Sequence, residues 1–392
     1  MNYRELIAQF IKIYGGDETD IRVFEAPGRI NLIGEHIDYN GGHVFPAGLE
    51  YKNVVIARKN NTNKINLAVS SLPDRVSAQI DCLEDYKNLK WGNYQLGVAF
   101  VLQQAGYSIE GCDLYYHGTV PYGAGLSSSA SIEVATAVTL LSLGGEKVLD
   151  YKEIALFSQK AENEYVGMNC GIMDQFISAF AKKDHAMILD CATLDYEYVP
   201  LNLGDYTIVI TNTNAPHKLT ETQYNQRRSE CEQALDIINQ HGGDYRFLCE
   251  MDARALETYH SHFNDDVVYR RAKHCVSEEA RTQEAVNVLK AGDIKAFGRL
   301  LNEANISMRD DFEATGPELD AVFDIACTLS GVAGSRMTGG GFGGCNISIV
   351  EKDKADLFEV EMSKRYEAKI GIKPSFYRSA AGQGAREVKQ WS

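Results

Sequence analysis

Short runs of alternating hydrophobic and polar residues mark the first third of the chain, at Ile21–Phe24, Asn53–Ala57 and Leu114–His117, with turn residues between them; this predicts β-strands. From Ser127 the period changes. Ala130, Val134, Val138 and Leu141 recur at helical spacing, and Gly144-Gly145 supplies a stop. Further helices are predicted over about Tyr151 to Val166 and Ile172 to Ala181, then strands over His185–Leu189 and Tyr206–Thr211. The remainder reads as mainly helical until a glycine-rich turn, Gly331 to Gly344, feeds the apolar strand Cys345–Val350. Strands and helices interleaved without a regular βαβ rhythm favour an α+β class over a doubly wound sheet. No repeat or proline-rich linker separates domains, so two lobes, residues 1–204 and 205–392, are expected to meet through a packed interface near Gly204-Asp205.

Composition narrows the function classes. The 392 residues are 44% hydrophobic and 24% charged, as in an ordinary soluble globular protein. A net charge of −15 argues against nucleic acid as a partner, since phosphate backbones need a basic face. It leaves ATP open, because local amides, a few cations and a metal can meet its phosphates. No apolar run approaches the ~18 residues of a membrane span, and the first residues, M1-N-Y-R-E-L, do not resemble a secretory signal. Nine cysteines without a C-x-x-C pair read as reduced thiols in a cytoplasmic protein. A monomer is expected, with oligomers left open.

Two segments carry most of the candidate chemistry. The first, G28-R-I-N-L-I-G-E-H-I-D-Y-N-G-G42, packs Arg29, Glu35, His36 and Asp38 into a glycine-punctuated stretch that reads as too polar for a core element. Carboxylates and imidazole suit the vicinal hydroxyls of a sugar; the rival is a metal site, since H-x-D spacing can bind divalent ions. The second, P121-Y-G-A-G-L-S-S-S-A-S131, is a glycine turn running into serines and then a helix, with Ser127 at the expected N-cap. Open backbone amides and the helix dipole make this a phosphate cradle, although neither a Walker A loop nor a protein-kinase glycine loop. Glu162 lies beside the stripe Ile154, Ser158, Ala161 and Tyr165. It is either a magnesium ligand, shared with nucleotide phosphates and a serine hydroxyl, or a salt-bridged boundary residue. Asp174 opens a helix, as dipole compensation or as the base for an attacking hydroxyl. Arg29 pairs with Asp174 and steadies phosphoryl charge, or forms a surface ion pair.

Through these residues the chain resembles the galactokinases of the GHMP kinase superfamily along nearly its whole length. The first segment is similar to the galactokinase signature, the second to the second superfamily motif, and G334-S-R-M-T-G-G-G-F-G-G344 to the third. C170-G-I-M-D-Q-F176 and R309-D-D-F-E313 also resemble galactokinase segments. The resemblance implies a two-lobed fold with the site in the inter-lobe cleft, and phosphorylation of galactose by MgATP to α-galactose 1-phosphate. By position it implies Asp174 as catalytic aspartate with Arg29 as its partner. Glu35, His36, Asp38, Gly171 and Tyr224 would be sugar contacts, and Ser129 and Glu162 magnesium ligands. Gly123, Ala124, Gly125, Leu126, Ser127 and Ser128 would form the phosphate loop, with Trp91 near the adenine. Whether Asp174 takes the proton or mainly positions the hydroxyl stays open. The chain departs from the family pattern at Asn302–Asn305, His217-Lys218, Ala47-Gly48 and Ser379–Gly384. A related kinase for N-acetylgalactosamine, arabinose or mevalonate, and a non-catalytic galactose sensor, are the alternatives; the complete serine run Ser127–Ser131 weighs against the sensor.

Overall fold

A computed structural model describes residues 2–121, 123–215 and 220–390. In the first lobe a six-stranded sheet runs in the order Arg386–Glu387, Arg22–Asn31, Pro46–Lys59, Cys112–Gly118, Lys64–Val69, Arg75–Gln79. Its residues obey the two-residue period of a pleated strand. Val23, Val54 and Ile56 face the N-terminal helix Tyr3–Tyr14, while Phe24, Val55 and Ala57 face the main core. That core is closed by the helices Asn93–Gln104, Ser128–Gly144, Tyr151–Ala161 and Met173–Phe180. In the second lobe four antiparallel strands are ordered Val332–Thr338, Cys345–Glu351, Tyr206–Asn212, Ser375–Tyr377, with helices packed around them. A third, three-stranded sheet joins His43–Val44, His185–Asp190 and Tyr196–Pro200. The fold is the expected α+β arrangement.

Two stretches differ from the sequence-based expectation. The strand Arg22–Asn31 takes in Gly28–Asn31, and the polar segment after it is buried core through Ile37. The presumed turn after Gly331 begins with the strand Val332–Thr338. One cause explains both: the two polar segments satisfy each other. Asn31 N donates to Thr338 Oγ1, Thr338 Oγ1 donates to Asn31 O, and Arg336 Nη1 donates to Leu32 O, at 2.9, 2.9 and 3.1 Å. These bonds offset part of the cost of burial, although the Asn31 side-chain amide and Arg336 Nε and Nη2 have no hydrogen-bond partner among the described residues.

The departures from the family pattern also find partners. Val332–Thr338 is an edge strand, and the helix Ile294–Ser307 covers it. Asn302 Oδ1 accepts from Ser335 N at 2.8 Å and Asn305 Oδ1 from Met337 N at 2.9 Å, so the asparagines occupy edge amides that would otherwise be open. A Cβ on Gly298 would stand 2.2 Å from Ala333 O, which is why the helix can lie so close. Ala47-Gly48 and Ser379–Gly384 lie against one another: Gly382 N donates to Gly48 O at 2.8 Å and Glu50 N to Ser379 Oγ at 2.9 Å. His217-Lys218 falls outside the described residues.

The tail then crosses the first lobe. Gly384 N and Ala385 N donate to Ala181 O and Ser178 O at the end of the helix Met173–Phe180. Arg22 grips Glu387 with two hydrogen bonds of 2.7 and 2.9 Å, and buried Glu25 pairs with both Lys52 and Arg386 at 2.7 Å.

His43 gives a pH test of the packing between the third sheet and the helix Asp266–Lys290. Its Nδ1 lies 2.7 Å from Glu279 Oε1, and this hydrogen bond raises the imidazole's pKa against the opposing pull of partial burial. A raised folded pKa means that the stabilisation is complete below the unfolded value of about 6.5 and fades as pH climbs through the folded value. His43→Ala should therefore lower the Tm clearly at about pH 6, with the gap to the unmodified protein narrowing by about pH 9. A gap in thermal unfolding that is constant or widens with pH would contradict this.

Candidate active site

The three glycine-rich segments converge on one place. Arg29 N donates to Leu126 O at 3.0 Å, and a Cβ on Gly28 would stand 2.6 Å from that carbonyl. A Cβ on Gly339 would lie 2.9 Å from Gly125 O and 3.5 Å from Arg29 Nη2, so the third segment abuts both of the others. Gly123, Gly125, Gly339 and Gly341 have φ of 68, 69, 88 and 78°, conformations that favour glycine.

At this junction Arg29 and Asp174 form a two-pronged ion pair: Nε to Oδ1 at 2.7 Å and Nη2 to Oδ2 at 2.6 Å. The third guanidinium nitrogen donates to Gly125 O at 2.7 Å. The arginine side chain is 5% exposed but the aspartate 27%, so the carboxylate is held from behind and open in front. Ser127 occupies the cap position of the helix Ser128–Gly144 but does not cap it. It sits in the left-handed region at φ 58°, and its hydroxyl donates to Asp174 Oδ2. An uncapped helix start beside an exposed glycine turn leaves backbone N–H groups that suit an anion.

Glu162 ends the helix Tyr151–Ala161 and is buried. Ser129 hydrogen-bonds it, and Gln175 Nε2 donates to Glu162 Oε2 at 2.6 Å and to Glu133 Oε2 at 3.1 Å. Burial, then the neighbouring charges, push both glutamate carboxyls up, and Glu133 Oε1 has no hydrogen-bond partner among the described residues. Buried carboxylates with unmet acceptor capacity beside a hydroxyl fit a hard divalent cation that takes its other oxygens from phosphates.

The sugar-side residues separate into two groups. Asp38 is half-buried and accepts from Tyr39 N and Met173 N; burial and then Asp174 push its carboxyl up to about 6. Its Oδ2 occupies the space that a Cβ on Gly171 would need, and Tyr224, also half-buried, accepts from Gly171 N. Asp38, Gly171, Tyr224 and Asp174 are thus one cluster. Glu35, in contrast, is 1% exposed; its carboxylate pairs with Arg336 and accepts from Gly339 N at 3.2 Å. Both His36 nitrogens are engaged as well, with Tyr39 Oη at 2.7 Å and Gly340 O at 3.0 Å. The metal alternative for Glu35, His36 and Asp38 would need groups that are already engaged, both His36 nitrogens with Tyr39 and Gly340 and the Glu35 carboxylate with Arg336. Trp91 is half-buried in the turn Lys90–Gly92 that leads into the helix Asn93–Gln104.

Sequence reasoning missed Glu133, Gln175, Tyr39, Arg336 and Glu278. Glu133 had a readable signal, the one charged residue on a largely buried helix and four residues after Ser129. Arg336 and Glu278 had none, because they meet only in three dimensions.

Comparison with known proteins follows the same geometry. The profile described as the galactokinase galactose-binding signature matches residues 8–59; those for the GHMP kinase N-terminal and C-terminal domains match 93–182 and 285–368. A galactokinase of Clostridium tetani is 46% identical over 388 residues, spanning 99% of this chain and 98% of that one. One of Halalkalibacterium halodurans is 40% identical over 389 residues, spanning 99% and 98%. The solved Lactococcus lactis galactokinase complexed with galactose superposes with a TM-score of 0.96 at 39% identity, covering 98% of this chain and 100% of that one. A mevalonate kinase, at TM-score 0.64 and 17% identity over 92% of this chain and 99% of that one, shares the fold.

Proposed function

This chain belongs to the galactokinase family of GHMP kinases, and from that membership we propose that it transfers the γ-phosphoryl group of ATP to the C1 hydroxyl of α-D-galactose, giving galactose 1-phosphate and ADP. The observation that carries the reading is the Arg29–Asp174 pair, a carboxylate gripped on one side, open on the other, and set where three glycine segments meet. Asp174 aligns the C1 hydroxyl and receives its proton, while Arg29 holds the carboxylate and adds positive charge beside the transferring group. The Gly123–Ser128 loop and the start of its helix bind the ATP phosphates, and Trp91 borders the adenine. Ser129 and Glu162 would hold a magnesium ion, which would neutralise phosphate charge when bound with ATP. Asp38, Gly171 and Tyr224 meet the sugar; Glu35 and His36 shape the turn it rests on. The lobes are residues 1–204 and 205–392, with the tail returned to the first. Nine free cysteines and the need for ATP fit a cytoplasmic enzyme. No helix among the described residues is long and apolar enough to cross a membrane.

The test is ADP release by the purified protein with MgATP against galactose, N-acetylgalactosamine, arabinose, glucose and mevalonate. Galactose is expected to have the highest kcat/KM by at least about tenfold, a margin of about 1.4 kcal/mol in transition-state binding. A better acceptor elsewhere in the panel would move the specificity, and ATP binding without ADP release would sink the kinase reading.

A further inference from the structure

We propose that Tyr39 is a positioning residue for sugar phosphorylation, its hydroxyl donating to the bare Nδ1 of a His36 whose Nε2–H is held by Gly340 O, and so tying the sugar-binding turn to the third glycine loop. The proposal rests on the functional reading above. His36 has a left-handed backbone, φ 62°, and its ring is enclosed by Phe312 and Tyr224, with centroids 4.7 and 5.0 Å away. The carbonyl of Gly340, 3.0 Å from Nε2, can only accept, so Nε2 carries the hydrogen. A neutral imidazole has one N–H, which leaves Nδ1 as an acceptor; the phenol 2.7 Å away must then be the donor. A cationic ring is disfavoured here, because burial first and the neighbouring His274, Arg227 and Arg336 hold His36 down at about 3. Tyr39 is itself held by an edge contact with Tyr224, centroids 5.7 Å apart, and by the Arg228 guanidinium 5.6 Å from its ring centre.

The tie matters because of what Gly340 adjoins. The preceding residue, Gly339, donates to Glu35 Oε1 and lies against Gly125 O and the Arg29 guanidinium. Gly340 itself faces the Tyr224 ring, at 3.4 Å from where its Cβ would be. One chain of contacts therefore runs from the Tyr39 hydroxyl through His36 and the loop to the base of the Arg29–Asp174 pair. Without the phenol, Nδ1 becomes a buried acceptor with no partner. Moving the proton to Nδ1 would give no relief: it would leave a buried donor without an acceptor and turn a bare Nε2 lone pair toward the Gly340 carbonyl, so the ring must shift and the loop with it.

Tyr39→Phe should fold normally and raise the galactose KM about tenfold, the cost of one unsatisfied buried group. The KM for ATP and kcat should each stay within about threefold, since preorganisation of the sugar site is what is lost. The second readout is nitrogen NMR of sugar-free protein labelled at histidine. Unmodified protein should show His36 protonated on Nε2 alone throughout about pH 5.5 to 8, and Tyr39→Phe should shift or split that signal. An Nδ1–H or doubly protonated His36 in the unmodified protein would overturn the proposal, even if the variant could not be purified. So would a Tyr39→Phe protein with unchanged galactose KM and an unchanged His36 signal. Because the spectrum needs no substrate, a protein silent toward galactose would refute the functional reading and still leave the proton placement to be judged by itself.

Discussion

Asp174→Asn is expected to lower kcat with galactose by about a thousandfold or more, with the fold retained. Asparagine has the shape of aspartate, so it can still accept one hydrogen bond from Arg29 and one from Ser127 Oγ. It cannot reproduce the second prong, because an amide NH2 would meet a guanidinium N–H donor to donor. More important for the chemistry, it offers no carboxylate to the sugar hydroxyl. The stability cost is expected to be about 1–2 kcal/mol, as one charge-assisted hydrogen bond is lost at a half-exposed position. Steady-state ADP release and urea unfolding, measured side by side, separate the two effects. Residual kcat above about a tenth of the original would count against any proton-accepting or aligning role for Asp174.

The largest stability effect should follow Arg336→Met. Arg336 is fully buried, with Glu35 beside one nitrogen and Glu278 Oε1 3.7 Å from another. The two acids do not depend on it equally. Burial pushes the Glu278 carboxyl up, but Arg281 first, then Arg336, His274 and the Gly34 N–H, outweigh burial and hold it down at about 2. Glu35 is pushed up to about 7 by burial even though Arg336 draws it down. Removing Arg336 leaves Glu278 its second cation and Glu35 none, and breaking a buried pair in this way costs about 3–5 kcal/mol. Adding Glu35→Gln to Arg336→Met should therefore recover part of the loss in urea unfolding. The deficit of the single variant should also shrink toward low pH, where Glu35 binds a proton and loses the charge that needed Arg336. If the double variant is no more stable than Arg336→Met alone, Glu35 is not the group left stranded.

The same pair of residues explains how far the sequence could be read. Periodicity located the helices Ser128–Gly144, Tyr151–Ala161 and Met173–Phe180 because their apolar stripes are local and repeat. Glycines and serines located the phosphate loop because its conformation demands those residue types nearby. What misled was polarity. Gly28–Asp38 and Val332–Thr338 carry Asn31, Glu35, Arg336 and Thr338, which look like surface residues in either segment alone. Folded, the two segments face each other: Thr338 Oγ1 bonds the Asn31 backbone and Arg336 pairs with Glu35. Such a pairing across two distant segments leaves no mark on either local pattern. Ser127 shows the same limit on a smaller scale. Its place before a helix pointed to a cap, yet a left-handed backbone turns its hydroxyl toward Asp174, where it donates, and away from the helix amides from which a cap would accept.

The returning tail has a consequence for how the protein is made. Arg386–Glu387 pairs with Phe24 and Glu25 on the edge of Arg22–Asn31, and the contacts of Gly384 and Ala385 brace the end of the helix that bears Asp174. A ribosome delivers the first strand long before those residues, so a growing chain that already holds all three glycine segments still displays an unpaired strand edge. Synthesis that stalls before residue 381 should yield a complete set of catalytic side chains on an unfinished sheet, prone to pair with its neighbours on the same message. Closing that edge and bracing the helix that bears Asp174 both wait for the same late stretch of chain.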